Sequence, residues 1–117
     1  ALPSTRHMID DEILALMKNG ATIINTARGV LIDETALLAT LSTGRIDAII
    51  DVTDPEIPGA ASLFYDLPNV FLTPHVAGAI GLERVRLGEM AVDEIERHLG
   101  GMPLAYGITW ADLARIA

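Results

Sequence analysis

Ile23-Ile24-Asn25-Thr26-Ala27-Arg28-Gly29-Val30-Leu31-Ile32-Asp33 is the stretch on which the reading of the fold turns. A short apolar, β-branched run gives way to small residues, an arginine and a glycine, and Asp33 then opens a new helical pattern. This is the pattern of a buried strand running into a loop, with Arg28 just beyond the strand's carboxyl end, where open α/β sheets gather ligands. Two later segments end the same way. Ala48-Ile49-Ile50-Asp51-Val52 precedes Glu56, and Val70-Phe71-Leu72-Thr73-Pro74 precedes His75. An arginine, a glutamate and a histidine at three parallel strand ends are placed to converge on one site.

Working outward, helical patterns separate these strands. Asp10, Asp11 and Glu12 crowd the first turn of a helix over residues 9–17, where the helix dipole favours them, and Ile13, Leu14, Leu16 and Met17 are its apolar positions. Lys18-Asn19-Gly20 stop it. Asp33 caps a second helix from Glu34 to about Leu41, closed by Ser42-Thr43-Gly44. The strand from Asp47 to Val52 is almost wholly apolar, as expected of one covered on both faces. Asp54-Pro55-Glu56-Ile57-Pro58-Gly59 must be loop, because two prolines and a glycine forbid helix or central strand. Ser62 to Asp66 reads as a turn or short helix. After Val76-Ala77-Gly78-Ala79 a long amphipathic helix runs to about Leu99, with Val85, Gly88, Val92, Ile95 and Leu99 forming one stripe expected to be buried. Gly100-Gly101 and Pro103 end it, and a last turn is expected over Ala111 to Ile116. The predicted fold class is α/β: three parallel strands with flanking helices, half of a doubly wound sheet.

Composition narrows the function. A chain of 117 residues fits one small domain that buries roughly two-thirds of its unfolded surface. Half of it is hydrophobic and only 4% aromatic, which suits an aliphatic interior between helices and a parallel sheet. Sixteen acidic against eight basic residues give a net charge of −8, which argues against nucleic acid or an anionic membrane as partner. The absence of cysteine excludes disulfides and thiolate metal sites. With no membrane-length apolar run and no signal-peptide pattern, a cytoplasmic protein is expected. No G-x-G-x-x-G follows a strand, so a pyrophosphate cradle is not read from this chain.

Asn25-Thr26-Ala27-Arg28-Gly29, then Asp51-Val52 with Glu56, then Leu72-Thr73-Pro74-His75 resembles, in order and kind, the nucleotide-binding domain of the NAD-dependent D-isomer-specific 2-hydroxyacid dehydrogenases. The resemblance runs from about Leu2 to Leu104. It implies the second half of a Rossmann-like doubly wound sheet, a partial NAD-binding domain over residues 1–99, and, over 100–117, a segment returning to a substrate lobe. The glycine fingerprint and that lobe are expected upstream.

The family's roles carry over residue by residue. Arg28 would hold the carboxylate and polarise the carbonyl of a small 2-keto acid, a task suited to a fixed fork of donors. His75 would be the general acid in reduction and the base in oxidation, with Glu56 pairing with it and orienting it. Asp51 would contact the nicotinamide carboxamide, with Thr26, Ala27 and Gly78 also on the cofactor side. The implied cofactor is NAD, with NADP as the variant, and the implied substrate a 2-keto or 2-hydroxy acid. No metal is implied, and the parent is expected to be a homodimer. Thr53 stands where the family commonly has an aromatic, and Ile57 where it commonly has proline. A non-catalytic, NAD(H)-sensing module of the co-repressor type is the alternative, since such relatives can keep all three of Arg28, Glu56 and His75.

Overall fold

The computed structural model describes residues 2–113 and divides into two compact units, Ala1–Ala77 and Gly78–Ala117. In the first, β1 (Thr22–Asn25), β2 (Asp47–Ile50) and β3 (Val70–Leu72) form a parallel sheet in the order β1-β2-β3. The register aligns Asn25 with Ile50 and Ile50 with Leu72. Since side chains alternate along a strand, Ile23, Asn25, Ala48, Ile50, Val70 and Leu72 share one face. That face meets α1 (Asp11–Leu16) and α2 (Glu34–Ser42) in a core of Leu14, Ile32, Leu37, Leu41, Ile46, Ala48, Ile50 and Phe64. Leu14, Leu37 and Leu41 are at most 2% exposed, and burying a leucine contributes about 1.5–3 kcal/mol. The parallel α/β class predicted from sequence is the class found.

The opposite face of the sheet differs from expectation. Ile24 and Phe71 keep 62% and 65% of their surface exposed, so within this unit the helices cover the apolar strands on one face rather than two. The reason lies in the connections: α1 and α2 both pack on the Ile23–Ile50 side.

The helix ends follow from their caps. Asp10 accepts the Ile13 amide at 3.0 Å, which makes it the cap rather than a first-turn residue, and α1 is shorter than the predicted 9–17. At its other end Met17 has already left the helix, and the Arg45 guanidinium closes it on the carbonyls of Leu14, at 2.6 Å, and Met17. Asp33 caps α2 as expected, accepting the Ala36 amide at 3.0 Å. At the end of α2, Asn69 donates to the carbonyls of Leu41 and Ile46, at 2.9 and 2.7 Å, and ties the start of β3 to the start of β2. A short 3-10 turn, Leu63–Tyr65, falls where a turn was expected.

In the second unit α3 (Leu82–Leu99) has the predicted extent, ending at Gly100 and at Gly101 with φ +66°. Its predicted stripe is exposed, not buried: Val85, Val92, Ile95 and Leu99 retain 54–80% of their surface. An amphipathic stripe is buried only where another element lies on it, and the other described helix of this unit is the one-turn α4 (Trp110–Leu113). The chain folds back at the helix end instead, where Glu94 accepts the amides of Ala105 and Tyr106 and Arg97 donates to the Pro103 carbonyl. Residues 114–116 of the predicted last turn lie outside the described residues. No described helix is long and apolar enough to cross a membrane.

Candidate active site

Because the three strands are parallel, the loops carrying Arg28, Glu56 and His75 all leave the sheet at one edge. The first of these loops is shaped by Asn25, a buried residue at the end of β1. Its side chain accepts the Ala27 amide at 3.1 Å and donates to the Arg28 carbonyl at 2.9 Å. Thr26, Ala27 and Arg28 are thereby held on the exposed rim. The Arg28 guanidinium turns back on its own loop, Nη1 donating to the Ala27 carbonyl at 2.6 Å.

Thr53 folds the second loop. Its hydroxyl stands 2.8 Å from the Pro55 carbonyl and 2.9 Å from that of Glu56, one hydrogen serving both. Behind this loop the Asp54 amide donates to Glu34 at 3.3 Å, and Arg6 approaches the Asp54 carboxylate at 3.5 Å. Burial raises the Glu34 carboxyl above its usual range, the Asp54 amide opposing this and the Asp54 charge adding to it.

The third loop is built on Asp51, which is only 4% exposed. Its Oδ1 accepts the Thr73 hydroxyl at 2.5 Å and the Val76 amide at 2.8 Å, its Oδ2 accepts the Ala77 amide at 2.9 Å, and its carbonyl accepts the His75 amide at 3.1 Å. This frame holds His75 at φ +53°, a left-handed conformation uncommon outside glycine. The Thr73 hydroxyl, with the Val76 and Ala77 amides and the nearby His75, outweighs burial and holds the Asp51 carboxyl below the usual carboxylate range.

The consequence is a histidine–carboxylate pair: His75 Nδ1 lies 2.5 Å from Glu56 Oε1. The pair borders a cleft of about 340 Å³ whose walls include Asp51, Ile57, Tyr65 and Leu72. The structure therefore brings together Asp51, Glu56 and His75 of the residues singled out in the sequence. Thr26, Ala27 and Arg28 lie on the neighbouring strand end, the Arg28 side chain engaged with Ala27. Gly78 belongs to the second unit and has φ +101°. Among the described residues no cluster of three His, Asp or Glu is arranged to hold a metal.

Three contributors were not singled out as site residues from sequence: Asn25, Thr53 and Thr73. Asn25 had a usable signal, a polar residue ending an apolar strand two positions before a loop amide. Thr53 and Thr73 act through contacts that only the loop geometry creates.

The family described as "D-isomer specific 2-hydroxyacid dehydrogenase, NAD binding domain" matches residues 1–77. A glycerate dehydrogenase of Methylorubrum extorquens is 43% identical over 104 residues, covering 86% of this chain and 33% of the relative. An (S)-sulfolactate dehydrogenase of Chromohalobacter salexigens is 41% identical over 97 residues, covering 82% and 31%. The chain thus spans about a third of the length of these curated relatives. A D-isomer specific 2-hydroxyacid dehydrogenase from Xanthobacter autotrophicus Py2, solved with NADPH and MES, superimposes with a TM-score of 0.80 at 35% identity, covering 93% of this chain and 45% of that one. Fold and sequence kinship coincide: this chain belongs to the NAD-binding domain family of the D-isomer specific 2-hydroxyacid dehydrogenases.

Proposed function

We propose that this chain is the part of the NAD-binding domain that carries the proton-transfer residues of a dehydrogenase acting on a small 2-hydroxy or 2-keto acid. The observation that carries the reading is the 2.5 Å approach of His75 Nδ1 to Glu56 Oε1 beside a cleft at the strand ends. Glu56 engages Nδ1 and fixes the ring, so Nε2 is the atom that gives a proton to the carbonyl oxygen in reduction and takes it back in oxidation. Arg28, on the next strand end, swings from the Ala27 carbonyl to hold the substrate carboxylate through its fork of donors. Residues 1–99 form this half of the cofactor domain, and residues 100–117 lead back toward a substrate lobe.

The residues fit the nicotinamide end of NAD(P). Asp51 borders the cleft, and its Oδ2 receives one protein donor, leaving acceptor capacity for a carboxamide N–H. The bound nicotinamide supplies the hydride. An NADPH-bound structural neighbour keeps NADP open beside NAD. The chain alone is expected to be inactive, since it spans about a third of its relatives and offers no glycine-rich pyrophosphate loop.

The test is NAD(P)H oxidation by the full-length protein with hydroxypyruvate and glyoxylate, in the parent and in His75→Asn. Asparagine suits a left-handed backbone and deletes the imidazole. Turnover is expected to fall by about 10²–10⁴. A variant as fast as the parent would falsify the reading, and a parent inert toward keto acids that still binds the cofactor would favour the sensing module instead.

A further inference from the structure

A Cβ built on Gly29 would overlap the carbonyl carbon and oxygen of Thr53 and stand 2.6 Å from the Asp54 nitrogen. Those neighbours are backbone atoms, so no side chain can swing aside to make room. Gly29 opens an ordinary 3-10 turn, Gly29–Leu31. It is the missing side chain, rather than torsional freedom, that the position uses.

What meets at this contact gives it meaning. On one side Gly29 is bonded to Arg28, whose carbonyl is fixed by Asn25. On the other, the Thr53 hydroxyl binds the carbonyls of Pro55 and Glu56, and Glu56 meets His75. On the far side of the Asp54 peptide, its amide donates to Glu34 at 3.3 Å and Arg6 stands 3.5 Å from the Asp54 carboxylate.

We infer that Gly29 is a positioning residue: its bare Cα seats the Arg28 loop on the Thr53–Asp54 peptide and so sets the spacing between Arg28 and the Glu56–His75 pair. The roles of Arg28 and His75 rest on the function proposed above; the contact does not. Catalysis across a keto acid needs the carboxylate anchor and the proton donor at a fixed separation, and a displacement of about 1 Å is enough to cost two orders of magnitude.

A double-substitution cycle in the full-length protein tests this, using Gly29→Ala, Arg28→Ala and the combination, read as kcat/KM for hydroxypyruvate. NADH affinity is followed by fluorescence. Gly29→Ala is expected to lower kcat/KM about 30-fold in the parent, with NADH affinity changed far less. In the Arg28→Ala background the same substitution is expected to cost less than about threefold, because the spacing has lost its anchor at one end. Equal factors in the two backgrounds overturn the inference, since Gly29 would then act on the fold as a whole. If Gly29→Ala does not accumulate as folded protein, Thr53→Gly replaces it in the same cycle. That change leaves Gly29 bare but loosens the loop seated on it, and the same unequal factors are expected. Full turnover in His75→Asn overturns the proposed function itself, whereas loss there with equal factors in the cycle overturns only the role of Gly29.

Discussion

The Thr73 hydroxyl donates to Asp51 Oδ1 at 2.5 Å, and this bond joins the residue after β2 to the residue after β3. With the Val76 and Ala77 amides on the same carboxylate, it makes the His75 turn dependent on a charge. A carboxyl held below its ordinary value of 3.8 contributes stability that is complete above that value and is lost as pH falls through the folded one. Asp51→Asn is therefore expected to be less stable at pH 7, with the deficit narrowing below pH 3.8. Urea melts of parent and variant at both pH values measure this, and a deficit independent of pH would contradict it.

Glu34 has the opposite sign. Burial, with the Asp54 charge adding, raises its carboxyl above 4.5, so the folded chain holds the proton where the unfolded chain has lost it. Stability from this group falls as pH rises through the folded value. Glu34→Gln is expected to stabilise the chain at pH 7 by at most about 0.5 kcal/mol, because the group is partly exposed. The gain should vanish below pH 4.5. Thermal melts across that range decide it; a destabilised variant at neutral pH would show that the bond to the Asp54 amide matters more than the penalty.

Asn69 satisfies two carbonyls, those of Leu41 and Ile46, with one amide group. Asn69→Ala strands both and is expected to cost about 1–3 kcal/mol. The readout is the urea midpoint at unchanged slope. An unmoved midpoint would mean that water replaces the amide without loss.

The legible parts of this chain were those in which one residue type does one local job. The apolar runs at Ile23, Ala48 and Val70 gave parallel strands, Asp33 gave a cap, and the long period-3.6 pattern gave α3. The pairing of Glu56 with His75 was anticipated through family resemblance; spacing alone put them only at the same edge. What sequence did not show depends on contacts between distant segments. α1 ends early because Arg45, 31 positions beyond Leu14, takes its carbonyls. The stripe on α3 and the Ile24–Phe71 face look like core in one dimension, yet their exposure is set by what lies on them. Gly29 reads as loop punctuation until Thr53 is seen against it.

β1 lies at the end of the sheet, and only its β2 side is paired among the described residues. Its other side presents free amides and carbonyls beside the exposed Ile24. Such an edge is a template for another strand, so the chain handled by itself would recruit copies of itself in proportion to concentration. Dilution, or a complementary strand supplied as a peptide, should then govern how much stays in solution, and sedimentation at rising concentration would show it.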